Sequence, residues 1–161
     1  MRCASAGCGV EFGFFNWKYK CGGCAKYFCS SHFGQHRRLW RYVAEFNLDS
    51  DGEGLCVRCA DLFDQVSDRA KKIQLYSANY RGRVPYDYGA KTMHVSSSWH
   101  RNRDFAERVV MLQAAAKGLD LVFDLKFEKT TGSEPGRGKG THYYSMWRAS
   151  GSAGVRYVKG T

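Results

Sequence analysis

The apolar positions of the second half of the chain change period twice. Leu62, Phe63, Val66, Ala70 and Ile73 recur at helical spacing, which predicts an amphipathic helix over residues 60–78. Lys91-Thr92-Met93-His94-Val95 has the length and composition of a short strand. Asn102 precedes a second helical stripe, Phe105, Ala106, Val109, Val110 and Leu112, and can accept the free amides of its first turn; Gly118 marks the stop. From Leu119 the period drops to two: Leu119, Leu121, Phe123, Leu125 and Phe127 alternate with mostly polar neighbours, as in a half-buried strand. Thr141–Arg148 alternates again, and Val155–Lys159 is expected to add a third strand after the small residues Ser150–Gly154. The order β-α-β-β-β predicts an antiparallel sheet with one helix on a face, an α+β layer.

No such period organises the first half, where cysteine does so instead. All seven cysteines, Cys3, Cys8, Cys21, Cys24, Cys29, Cys56 and Cys59, lie in the first 59 residues. Disulfides would need an oxidising compartment; the count is odd, and no apolar run follows a basic start at the N-terminus, so no signal peptide is expected. Metal binding needs close pairs of thiolates or imidazoles. The chain has four: Cys3-x4-Cys8, Cys21-x2-Cys24, Cys29-x2-His32 and Cys56-x2-Cys59. With His32 the seven cysteines become eight ligands, the number two four-coordinate zinc ions require. An interleaved pairing is expected, Cys3 and Cys8 with Cys29 and His32, and Cys21 and Cys24 with Cys56 and Cys59, although spacing alone does not prove it. Such a cross-brace would tie a segment of about 60 residues that can bury little core by itself.

This ligand order resembles the FYVE-type zinc finger over about residues 1–75. The gap of twelve residues between the first two pairs, the spacings that follow, the step Tyr27-Phe28-Cys29 and the closing Leu55-Cys56-Val57-Arg58-Cys59 before a helix carry the likeness. The segment Cys3–His36 is similar in part to AN1-type fingers, but their nearby closing H-x-C is absent. The FYVE resemblance implies a treble-clef-like cross-brace with two structural zinc ions, and docking to phosphoinositide on endosomal membranes. In that family a basic run around the third cysteine reads the lipid. Here it is Trp17-Lys18-Tyr19-Lys20-Cys21-Gly22, so Lys18 and Lys20 become the phosphate contacts, and Phe14 and Phe15 fall on the loop tip that enters the bilayer. Phe12, Phe14, Phe15, Trp17 and Tyr19 crowd this stretch. Beside two lysines they suit a membrane interface, and they suit equally a lid over the metal sites.

Charge changes this picture. The 161 residues carry 25 basic and 15 acidic side chains, a net charge of +10. Residues 1–70 hold 9 basic and 8 acidic ones, residues 71–161 hold 16 and 7, so the second half has a net charge of +9. Attraction to anions therefore belongs mainly to the half without a family resemblance. His36-Arg37-Arg38-Leu39-Trp40-Arg41-Tyr42 interleaves arginine with aromatics, a pattern open to nucleic-acid contact or to an ordinary amphipathic turn. The glycine-rich segment 130–141 fails the phosphate-loop pattern, because Ser133 stands where its first glycine belongs; a basic hairpin fits better. Asp124-x-Lys126, with Asp104 or Asp120, resembles a nuclease centre only loosely, and no cysteine is left over for a nucleophile.

The expected protein is thus a zinc-binding, non-enzymatic docking module over residues 1–80, followed by a basic α+β domain over 81–161. No segment reaches the ~20 apolar residues of a membrane helix. The expected setting is the cytoplasm, peripheral on endosomal membranes, with phosphoinositide or a membrane-associated protein as partner. The competing class is a nucleic-acid or ribonucleoprotein factor using residues 71–161; the least favoured is a metal-dependent nuclease.

Overall fold

The computed structural model describes residues 1–13, 17–22, 24–34, 54–136, 138 and 140–157. The chain divides into two compact units, Met1–Gln65 and Val66–Thr161. Sequence places a boundary near residue 80, whereas the units divide earlier, inside a helix. The fold class is α+β, with two helices and several sheets among the described residues.

The first unit has very short strands. β1 (Tyr19–Lys20) pairs antiparallel with β2 (Tyr27–Phe28), Tyr19 opposite Phe28. β3 (Phe33–Gly34) pairs antiparallel with β4 (Leu55–Cys56), Phe33 opposite Cys56. Two-residue ladders bury almost nothing, so the core is built largely from the cysteines themselves. Cys3, Cys21, Phe28, Cys29, Leu55, Cys56 and Ala60 form its buried cluster, with Phe12, Phe33 and Phe63 packed against it. A unit this poor in apolar side chains needs a staple.

Helix α1 (Val57–Ala70) follows β4 directly. It is shorter than the stripe over residues 60–78 predicts, because Gln74–Ser77 forms β5. Helical periodicity runs through Ile73, but the next residues pair with a distant strand: Gln74 lies opposite Leu121 and its amide donates to the Asp120 carbonyl at 3.1 Å. Long-range pairing overrides local pattern here.

In the second unit β5 is followed by β6 (Met93–Ser96), α2 (Arg103–Ala116), β7 (Leu121–Pro135) and β8 (Thr141–Gly154). The order is β-β-α-β-β, and the sheet runs β5-β7-β8-β6. The expected antiparallel sheet is corrected to a mixed one: β7–β8 and β6–β8 are antiparallel, β5–β7 parallel. The parallel pair arises because the chain leaves β5 and returns beside it only after β6 and α2, a crossover no hairpin can make. The expected strand at Val155–Lys159 is also corrected. β8 runs to Gly154 and absorbs Ser150–Gly154, Arg156 makes a single bridge to Tyr86, and residues 158–161 lie outside the described residues. These small residues belong to the packed part of the sheet. Ala149 and Ala153 are fully buried, and α2 lies against β8 with Ala106, Val109, Val110, Leu112, Ala114 and Ala115 inward.

The two ends of α2 follow their local signals. The Asn102 Oδ1 accepts the amides of Asp104 at 2.7 Å and Phe105 at 3.3 Å. Gly118 takes φ +71, where the amides of Gly118 and Leu119 donate back to Ala115 and Ala114.

Candidate metal centres

Each ligand pair sits on a tight local turn. Around Cys3 and Cys8 the Cys3 amide donates to the Val10 carbonyl at 3.0 Å and the Cys8 amide to Ser5 at 3.2 Å, with Gly7 at φ +76. Between β1 and β2 the chain reverses over Cys21 and Cys24: the Ala25 amide donates to the Cys21 carbonyl at 2.9 Å, the Cys21 amide to the Lys26 carbonyl at 2.9 Å, and Ala25 takes φ 57. Cys29 opens the 3-10 turn Ser30–His32 and its carbonyl accepts the His32 amide at 3.0 Å. Cys56 ends β4, and Cys59 lies in the first turn of α1.

The fold brings these pairs together in two sets of four, Cys3, Cys8, Cys29 and His32, and Cys21, Cys24, Cys56 and Cys59, the interleaved pairing. Within each set the ligand atoms all lie within 4.8 Å of one another. The Cys8 and Cys29 Sγ atoms are 3.9 Å apart, and the His32 Nδ1 lies 3.2 Å from the Cys29 Sγ and 3.8 Å from the Cys3 Sγ. Thiolates around one tetrahedral zinc are separated by about 3.8 Å, given a zinc–sulfur bond of about 2.3 Å. A disulfide needs about 2.05 Å, and none of the seven cysteines is in one. The residues present therefore fit two metal ions, one per set. Each set supplies four donors, so an ion held there would have its positions filled by protein and would contribute folding energy rather than an open site.

Backbone amides back up the sulfurs. The Cys56 amide donates to the Cys21 Sγ at 3.2 Å and the Cys29 amide to the Cys3 Sγ at 3.5 Å. Such bonds orient a ligand and favour its thiolate. Burial raises the Cys3 thiol, but hydrogen bonds from the backbone at Ser5 and Cys29 outweigh it and bring the thiol down to about 7. In the other set burial dominates and pushes the Cys56 and Cys59 thiols up. At Cys8 a backbone bond at Val10 lowers the thiol, but burial and the neighbouring Cys3 and Cys29 together leave it raised. Crowded thiols that repel one another's negative charge are what a divalent cation would neutralise. The sets differ in access: Cys24 of the four-cysteine set is exposed, whereas in the other set Cys8 and His32 are half-buried and Cys3 and Cys29 buried.

The expected lipid contacts are dispersed. Phe14 and Phe15 lie outside the described residues, as do His36–Val43, Arg137 and Lys139. Lys20 is half-buried in β1, and Lys18 is exposed with its Nζ 5.3 Å from the Tyr27 ring centre. The aromatic run splits: Phe12 packs on the core, Tyr19 stacks on Phe33 at 4.9 Å, and Trp17 is 81% exposed. Asp124, Asp104 and Asp120 belong to no set of three or more metal-ligating side chains among the described residues. Asp104 lies in the first turn of α2, and Asp120 accepts the Arg156 amide at 3.3 Å.

The contacts between cations and aromatic rings in the second unit escape a one-dimensional reading. Arg101 lies 3.8 Å over the Tyr144 ring, Arg103 4.1 Å over Phe127 and 5.9 Å over Trp147, and Lys129 5.3 Å over Trp147. The only advance signal is the excess of basic residues after residue 70. No protein-family model matches the chain, and neither does any curated protein or solved structure. No helix among the described residues is long and apolar enough to cross a membrane.

Proposed function

We propose that the chain is a non-enzymatic nucleic-acid-binding protein whose first unit is a FYVE-like, treble-clef-type cross-brace held by two structural zinc ions. Soft thiolate and imidazole donors in complete sets of four favour zinc over magnesium or calcium. Seven thiolates against two divalent ions take the first 70 residues from a net of +1 to about −2. The attraction to polyanions is then a property of residues 71–161. The observation that carries the reading is the placement of Arg103 and Lys129 over the rings of Phe127 and Trp147 in that unit. A cation held on a ring loses less side-chain freedom when it meets a phosphate, and rings beside cations offer stacking platforms to bases.

The test is a fluorescence titration of DNA and RNA oligonucleotides over a salt series. Affinity that falls steeply and linearly in log–log form with salt supports the reading; no saturable binding to any oligonucleotide at low salt would remove it.

A second reading rests on Trp17, which is 81% exposed next to exposed Lys18. An exposed indole beside an ammonium suits the headgroup layer, so this loop can dock the protein on a phosphoinositide-bearing membrane. Liposome flotation with and without phosphoinositide separates the two. Lipid-dependent flotation lost in Trp17→Ala, with no oligonucleotide binding, would replace the first reading by the second.

A further inference from the structure

The β7–β8 hairpin extends well past the four-stranded part of the sheet. β6 pairs with β8 only from Ser150 to Ala153, whereas β7 and β8 stay paired from Lys126–Ser150 out to Pro135–Thr141. Directly paired residues share a face. One face of the arm carries Lys129 and Trp147, Thr131 and Ser145, then Ser133 and Tyr143, with Phe127 and Ala149 at its base. The other carries Glu128 and Arg148, Thr130 and Met146, Gly132 and Tyr144, then Glu134 and His142. Both glutamates of the arm are on this second face, where Glu134 is bonded to Arg101 and lies 3.6 Å from the His142 Nδ1.

The first face has no acidic residue. Arg103, the first residue of α2, reaches it over Phe127 and Trp147, and Lys129 lies over Trp147 from the arm itself. Neither cation is in an ion pair with a carboxylate among the described residues. Four residues beyond Trp147 along β8, Tyr143 is 67% exposed and makes no ring contact among the described residues. Between the two rings stands only the hydroxyl pair Thr131 and Ser145, with Ser133 beside Tyr143, so no bulky side chain separates them.

We propose that this acid-free face of the β7–β8 arm, with Arg103, Lys129, Trp147 and Tyr143, is a binding track for single-stranded nucleic acid. This rests on the nucleic-acid reading above and locates its site. The cations match phosphates, the exposed ring of Tyr143 matches an unpaired base, and the half-buried Trp147 beneath the two cations offers a second ring at the inner end of the track. A duplex keeps its bases stacked on each other and cannot use those rings, so the aromatics select single strands.

The full-length, zinc-loaded protein is titrated by fluorescence anisotropy with 12-nucleotide oligothymidine, oligouridine and a DNA duplex of equal length. The single strands are expected to bind more tightly than the duplex, and the two arms report any preference between DNA and RNA. Tyr143→Ala is expected to weaken single-strand binding about tenfold. Arg103→Ala and Lys129→Ala are each expected to weaken it severalfold and to lower the salt slope by about one. Lys126→Ala removes the same charge from the second face and should stay within about twofold of wild type. All four residues are exposed, so thermal melts check that the variants fold. Equal losses in Lys126→Ala and Lys129→Ala, an unaffected Tyr143→Ala, or tighter binding of the duplex would overturn the track while leaving the nucleic-acid reading in place. Failure of wild type to bind any of the three probes would remove both.

Discussion

The Cys56 amide donates to the Cys21 sulfur at 3.2 Å, tying the turn between β1 and β2 to the start of α1 across 35 positions of sequence. Both residues are buried, Cys21 completely. Its sulfur is thus fixed from the backbone side and offered to the four-cysteine set from the other. We predict two zinc ions per chain by elemental analysis, and about one in Cys21→Ser. Structural zinc contributes on the order of 10 kcal/mol or more of folding energy in small modules. Chelation should therefore unfold the first unit while the β5–β8 sheet persists, seen as two separable melting transitions. Fewer than two zinc ions in wild type would sink the cross-brace.

The Asn102 cap yields a narrower prediction. Its Oδ1 holds two amides of the first turn of α2. Asn102→Ala should destabilise the second unit by about 1 kcal/mol, and Asn102→Asp should restore most of the loss, with Asp also favouring the helix N-terminus. Chelator-treated protein, followed by denaturant titration, isolates the effect. An Asn102→Ala midpoint equal to wild type would show that the cap contributes nothing.

Some of this architecture was legible in advance because its signals are local. Ligand pairs with two to four residues between them declare a candidate metal site by their chemistry, and Asn102 and Gly118 declare the ends of α2. What was not legible depends on distant partners. Gln74–Ser77 is a strand because β7 lies beside it, and Ser150–Gly154 is the packed middle of a sheet because α2 needs small residues beneath it. The faces of the hairpin were hidden for a sharper reason. Alternation in the sequence puts Leu121, Phe123, Leu125 and Phe127 on one side, but Phe123 lies opposite Ser152 and Phe127 opposite Ala149. Those partners differ in parity along β8, so Phe123 and Phe127 point to opposite faces. Phe123 accordingly stacks on Tyr86 at 4.6 Å, while Phe127 lies under Arg103. One extra residue in β7 moves every later side chain to the other face.

The helix–sheet core should respond to truncation more strongly than any surface site. Leu112 is fully buried on α2. Leu112→Ala removes three carbons from a packed interior and should cost about 2–5 kcal/mol in urea or guanidinium unfolding, lowering the midpoint of the second unit's transition alone. Arg2→Ala breaks an exposed pair with Glu11 and should change stability by less than about 1 kcal/mol. A reversed order of these two effects would contradict the assigned core.

The extra residue in β7 gives the most discriminating test of the fold. The register slips between Phe123 and Lys126 against β8, and between Leu75 and Ser77 against β5, so one bulge faces both neighbours. Asp124 lies within it at φ 53, a left-handed conformation that aspartate tolerates better than most residues. Gly151 stands across from it, where an added Cβ would meet the Phe123 carbonyl oxygen at 2.9 Å and the Val122 Cγ1 at 3.1 Å. Backbone cannot yield as a flexible side chain can, so Gly151→Ala should destabilise the second unit by about 1–3 kcal/mol. Asp124→Val should cost about 1–2 kcal/mol through the left-handed backbone. Asp124→Gly should lie within about 1 kcal/mol of wild type, because relief at that φ offsets the greater freedom of glycine in the unfolded chain. Equilibrium unfolding of the three variants checks the ranking. If Asp124→Gly proved as damaging as Asp124→Val, the carboxylate and not the backbone would be what this position requires, and the role of Asp124 would move from structure to chemistry.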